Sequence, residues 1–204
     1  AARLSWERAQ TIADALPPDD PNRTAMRIEA RTVLCGLAWR VHVDVSSDRF
    51  EELRQLCAEA GDKASLAIAM SGLVMDHAYH ARIREAAELA SESWAFTESL
   101  GDPALLMGLS VPPIYAKWES AGWPDMLRWS QRVIDLAAGD PSKGTLLAGG
   151  APLPLALTTR AIARYFLGRT GWGDDIRIGL AMARDADPFT YAGAVTYGYA
   201  AGIG

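Results

Sequence analysis

The chain has 204 residues, half of them hydrophobic and 22% charged, enough apolar material for a substantial core in one or two domains. The formal net charge is −5 and no basic tract occurs, which argues against direct nucleic-acid binding. No apolar run approaches the roughly eighteen residues of a membrane span, and the first seven residues lack the basic end, apolar stretch and cleavage site of a signal peptide.

The first stretch, through Ala9, Ile12, Ala13 and Leu16, has the three-four spacing of one helical face. It runs into Asp20-Pro21, the first of five joints where aspartate is followed by proline or lysine. The others are Asp62-Lys63, Asp102-Pro103, Asp140-Pro141 and Asp187-Pro188, at intervals of 42, 40, 38 and 47 residues. Glu59-Ala60-Gly61-Asp62, Ser99-Leu100-Gly101-Asp102 and Ala138-Gly139-Asp140 each read as a helix stop joined to a helix start. Glycine takes the left-handed turn, aspartate caps the new amides and proline suits the first helical position.

Each interval has room for two helices. A first helix over 25–40 leads to a serine-aspartate turn at 44–48, although Val41, Val43 and Val45 also alternate as in a strand. A second helix follows, with Phe50, Leu53, Cys57 and Ala60 on one face and Glu51, Glu52 and Arg54 outside it. The next first helix spans 64–79 and turns near His80–Arg82. The one after it, 103–120, contains Val111-Pro112-Pro113, where lost amide donors and ring clashes demand a kink or a split.

Beyond the Gly122-Trp123-Pro124-Asp125 turn, Met126, Trp129, Val133 and Ala137 line another second helix. The glycine-rich stretch 144–150 then leads to Pro152 and Pro154, at the position equivalent to Pro112, and to a first helix over about 154–167. Gly171-Trp172-Gly173-Asp174 marks the last turn inside a repeat, and a final helix opens at Phe189. The first helices are apolar nearly all round, as expected of elements held between neighbours. The expected fold is all-α: antiparallel helical hairpins stacked into a right-handed tetratricopeptide (TPR)-like superhelix, an α-solenoid. The chain is expected to be one such array, cut from something longer at both ends.

Candidate chemistry is sparse. Asp76, His77 and His80 could begin a metal site, but a third ligand has to come from elsewhere; the alternative is a polar helix end where imidazolium favours the carboxyl-terminal dipole. Gly139–Thr145 holds the residues of a phosphate loop in the wrong order. Cys35 and Cys57 lack paired spacing, as expected of reduced, packed thiols in a cytoplasmic protein. No nucleophile–base constellation is recognisable, so no catalytic residue, cofactor or metal is assigned. Tyr115, Lys117, Trp118, Glu119, Arg160 and Arg164 are the candidates for a binding surface on the concave face, near a groove opened by the prolines of 111–154. The arginine pair beside Tyr165 either binds an anion or forms a salt-bridged face. A protein partner or a neighbouring domain of the same chain is the expected occupant, with a small ligand as the alternative.

Three segments carry a resemblance: Gly-Asp-Pro-Ala-Leu-Leu at 101–106, Gly-Trp-Pro-Asp-Met-Leu at 122–127 and Asp-Leu-Ala-Ala-Gly-Asp-Pro at 135–141. They resemble the helical-repeat region of large actinobacterial signalling proteins. In these, a class III nucleotide cyclase or a LuxR-type DNA-binding domain accompanies an ATPase module. Abundant arginine and alanine with only three lysines agree with a GC-rich genome. The resemblance implies a regulatory or interaction segment whose catalysis lies outside these residues.

Overall fold

The computed structural model describes residues 2–36, 47–147 and 149–202. Among them every regular element is a helix, so the chain is all-α. Val41–Val45, the end of the helix expected over 25–40 and most of the serine-aspartate turn lie outside the described residues. The chain forms two compact units, Ala1–Leu100 and Gly101–Gly204.

Unit 1 contains α1 (Ala2–Ala15), α2 (Arg23–Gly36), α3 (Ser47–Ala60), α4 (Lys63–Tyr79) and α5 (Ile83–Ser99). Helix α2 packs against α1, α3 and α4, and α4 packs in turn against α3 and α5. Ile28 and Cys35 of α2, Leu53, Leu56 and Cys57 of α3 and Ala69 of α4 share one core. Leu56 takes the buried place that the periodic pattern gave to Ala60, which is exposed, and Ile12 likewise points to solvent while Ala13 is buried. Both thiols are free, and burial pushes each up to about 11, where a thiol is chemically inert at neutral pH. Backbones meet where α2 crosses α4: a Cβ on Gly72 would stand 2.2 Å from the Cys35 carbonyl oxygen.

Unit 2 contains α6 (Pro103–Gly108), α7 (Val111–Glu119), α8 (Trp123–Ala137), α9 (Pro152–Phe166), α10 (Trp172–Ala186) and α11 (Pro188–Ala200). Helix α8 packs on α6, α7 and α9; α9 also holds α10 and α11. Met126, Trp129, Val133 and Ala137 are all buried, and burying each large apolar side chain contributes roughly 1.5–3 kcal/mol.

The joints divide into two kinds. Asp62, Asp102 and Asp187 cap helices, accepting from the amides of Ser65, of Ala104 and Leu105, and of Thr190. Asp20 and Asp140 instead accept from the amides two residues on, Asn22 and Ser142; the Asp20 turn leads into α2, whereas the Asp140 turn opens a loop. Gly61, Gly101 and Gly139 all adopt positive φ, between 68° and 81°, the conformation that glycine takes without strain. Asp125 and Asp174 make no caps; Gly122 and Gly171 occupy those positions, and the aspartates form ion pairs.

The prolines correct one expectation. Pro112 and Pro113 do split a first helix: α6 ends at Gly108 and α7 begins at Val111 with both prolines in its first turn. Pro152 breaks nothing, because it opens α9. No helix precedes it among the described residues of 140–151, where Gly144, Gly149 and Gly150 have φ of 79°, 87° and 101°. That loop is anchored by Leu146, buried among Leu155, Ala183 and Ala194. Backbone bonds add to it, from the Leu147 amide to the Gly108 carbonyl and from the Ala151 amide to the Thr190 hydroxyl.

Candidate functional site

The six surface candidates all fall in unit 2 but do not form one surface. Tyr115 and Trp118 meet Tyr197 in a three-ring cluster, with centroids 5.5–6.3 Å apart. These rings, with Val111 and Pro152, close over an apolar cleft. Its free volume is about 10 Å³, room for a single water, against the several hundred Å³ of a small-molecule site.

Lys117 is buried at 8% exposure. Its Nζ lies 3.1 Å from an Asp125 carboxylate oxygen and 5.4 Å from the centre of the Trp129 ring. It joins the start of α8 to α7 and is not a side chain directed into a groove. Glu119 is exposed.

Arg160 and Arg164, one turn apart on α9, clasp Asp175 in the first turn of α10. Arg160 donates to both Asp175 oxygens and, through its remaining terminal nitrogen, to Gln131 of α8 at 2.7 Å. Arg164 donates to Asp175 at 2.7 Å. Asp175 is only 4% exposed, so its charge is stabilised by these two cations rather than by water. Of the two readings open for the arginine pair, the structure shows the salt-bridged one.

In the sequence, the surroundings of this clasp carry no motif. Beyond it, between the first half of α8 and the α9–α10 connection, lies an open groove of about 820 Å³. Arg128, Arg164 and Arg169 line it together with Gln131, Pro124 and Leu127. Trp123 stacks on Phe166 at the same end of α8 and α9, with centroids 4.3 Å apart and planes within 9°. Tyr165 meets both Phe166 and Trp172 edge-on. Phe166 and Tyr165 remain 46% and 43% exposed. The signal available in the sequence was the adjacent aromatic pair Tyr165-Phe166 at a helix end, followed closely by Arg169.

A second clasp of the same kind sits in unit 1. Arg27 and Arg31, also one turn apart, bind Asp14 of α1 and Glu52 of α3. Burial alone would raise the Asp14 carboxyl, but hydrogen bonds from Arg31 and Arg27 outweigh it and hold the group below its ordinary value. Arg31 is 2% exposed; burial works against its charge, and the bonds to Asp14 and Glu52 raise its pKa despite that.

The histidines at the end of α4 are part of a helix terminus. His80 is the cap, its Nδ1 2.8 Å from the Asp76 carbonyl oxygen, and the buried Asp76 carboxylate accepts from Arg82. Burial, and then the Arg82 charge, lower the pKa of His77, so it is the neutral imidazole that this site favours. Among the described residues, no three metal-ligating side chains converge. No helix there is long and apolar enough to cross a membrane.

No protein-family model matches the sequence, and a comparison with curated proteins finds no significant relative.

Proposed function

We propose that this chain is a non-catalytic interaction or regulatory scaffold, a TPR-like stack of antiparallel helical hairpins within a larger bacterial signalling or transcription regulator. The observation that carries the proposal is the repeated packing of the less polar helices. Helix α2 contacts α1, α3 and α4, and α9 contacts α8, α10 and α11. Each is enclosed by the second helices on either side and by the next first helix, the arrangement that stacked hairpins require. Recurrence of the arginine clasp on α2 and α9 supports the same repeat. In unit 1 the charged groups that come together pair with each other, as befits a framework. Such stacks present extended surfaces suited to a protein partner or a neighbouring domain. Attachment to a nucleotide cyclase or a DNA-binding module follows from the resemblance of 101–106, 122–127 and 135–141.

A small-ligand sensor is the second reading, favoured by the aromatic cleft of Tyr115, Trp118 and Tyr197. With room for one water, that cleft needs Tyr197 to swing away before a ligand enters.

The test is a photo-crosslinking residue placed at Phe166 or at Glu119 of the parent polypeptide, with the products mapped by mass spectrometry. Reproducible cross-links to one other polypeptide, or to a distant domain of the same chain, are expected. Catalytic turnover by residues 1–204 alone, with no such cross-link at any surface position, would overturn the scaffold.

A further inference from the structure

The two arginine clasps differ by one carboxylate. In unit 1, two arginines meet two acids: Arg31 donates to both Asp14 oxygens at 2.9 and 2.8 Å and to Glu52 at 2.8 Å, while Arg27 reaches the same pair. In unit 2, two arginines share one acid, Asp175. Where unit 1 receives Asp14 from its preceding second helix, the preceding helix of unit 2 offers Gln131, whose amide oxygen accepts from Arg160 and whose amide nitrogen donates to Asp135. The clasp of unit 2 is therefore left with an excess positive charge.

That excess faces the open groove. Arg164 is one of its walls, and no acidic side chain lines it. Arg128, on the opposite wall, is 70% exposed at its side chain and shares Asp125 with Lys117. Arg169 is exposed and has no ion pair among the described residues. Of the three arginines that line the groove, Arg128 pairs with Asp125, Arg164 with Asp175 and Arg169 with no acid among the described residues. The imbalance is local, since residues 101–204 hold nine acidic and nine basic side chains and the formal charge of −5 belongs to residues 1–100.

We propose that this groove docks an acidic peptide segment of a protein partner, one whose carboxylates lie beside a large apolar side chain. The inference rests on the scaffold reading and names the chemistry of its partner. The carboxylates enter between Arg128, Arg164 and Arg169 and complete the clasp as Asp14 does in unit 1. Planar guanidinium groups bind carboxylates in pairs of parallel hydrogen bonds, which gives direction as well as attraction. The apolar residue settles on the exposed ring of Phe166, held flat by Trp123 and edged by Tyr165, and over Pro124 and Leu127. Aromatic and arginine side chains packed together in this way are the usual centres of binding energy in protein interfaces. A nucleic acid is the poorer occupant. Its long run of phosphates meets three arginines here and the acidic excess of the chain elsewhere, and binding of that kind scales with the number of phosphates neutralised.

The test uses the 204-residue chain and a fluorescent peptide of about nine residues, glutamates and aspartates around a central Leu-Phe. Anisotropy should report saturable binding that weakens with salt. It should be lost when the acids are replaced by their amides, and also when Leu-Phe is replaced by Gly-Ser. Arg169→Glu should weaken binding at least tenfold, with unchanged circular dichroism and melting temperature, whereas Lys143→Glu, an equal charge change at an exposed site away from the groove, should not. Gln131→Glu is the decisive variant. It supplies the missing carboxylate from within, so it should weaken the peptide at least tenfold with unchanged circular dichroism, although it gives up the hydrogen bond to Asp135. Equal binding by wild type, Arg169→Glu and Gln131→Glu overturns the proposal. So does binding by thymidine oligonucleotides or inorganic phosphate that matches the peptide's. If the parent polypeptide cross-links to a partner through another face while the peptide fails here, this inference falls and the scaffold stands. If no face cross-links and the chain turns over a substrate, both fall.

Discussion

Units 1 and 2 solve the same local problem with different amounts of charge. Each places two arginines one turn apart on a helix surrounded by neighbours, where a lone guanidinium would be costly to desolvate. Unit 1 supplies two carboxylates, from the helices before and after, so its charges balance and its acids are redundant, although the buried Arg31 Nε–H has no acceptor. Unit 2 supplies one nearly buried carboxylate and a neutral amide. Unit 1 balances its own charges, and unit 2 leaves a cation facing an open groove, the site of the proposed docking. The difference lies in one side chain, Gln131 against Asp14.

That redundancy decides how much each carboxylate contributes to stability. Asp175→Ala should destabilise unit 2 by about 3 kcal/mol, because it leaves two partly buried arginines without their shared anion. Asp14→Ala should cost only about 1 kcal/mol, since Glu52 still serves both arginines and Asp14 itself is partly exposed to water. Equal losses in urea denaturation would erase the distinction between the clasps.

Backbone packing offers a second comparison of nearly the same size. Gly72→Ala puts a methyl group against the Cys35 carbonyl, which belongs to a helix and cannot yield, so α2 and α4 must separate at a cost of about 3 kcal/mol. In unit 2 the corresponding contact of first helices is gentler: a Cβ on Gly193 meets only the Leu155 side chain, at 3.2 Å. Gly193→Ala should stay below about 1 kcal/mol. A reversed order would contradict the close approach of α2 and α4 at Gly72.

Smaller effects separate the joints. Asp102→Ala should cost about 1 kcal/mol through loss of a cap on two amides. Asp140→Ala should cost less, because no helix follows its turn. Acid sharpens the clasp comparison in unit 1. The Asp14 carboxyl is held below its ordinary 3.8, so the unfolded chain binds the proton more readily than the folded one. The associated stability is whole above that value and is lost as pH falls through the lowered one. Below about pH 4, wild type should therefore lose stability more steeply than Asp14→Asn, as followed by circular dichroism.

Much of the fold was legible because its signals are local. Gly-Asp at the joints needs only adjacent residues to act, and Pro112-Pro113 can split a helix without help from elsewhere. The stripe from Met126 to Ala137 needed nothing beyond helical periodicity. The break expected at Pro152 failed because three left-handed glycines ahead of it had already prevented a helix. The site was less legible, since its contacts join residues distant in sequence. Arg160 meets Asp175 fifteen residues on and Gln131 twenty-nine residues back, and only the packing of α8, α9 and α10 brings them together. Lys117 read as a surface cation because its burial depends on Asp125 and Trp129 across a turn. The groove arginines belong to two separate segments with no common motif.

The clasp of unit 1 balances its charges from within, and the clasp of unit 2 does not. The direct measurement is nuclear magnetic resonance of the arginine Nε–Hε groups during titration with the acidic Leu-Phe peptide. Arg164 and Arg169 should shift progressively and saturate together, while Arg27 and Arg31, already bound to Asp14 and Glu52, should hold their positions. Equal shifts in both sets, or none at Arg164 and Arg169 at saturating peptide, would contradict it.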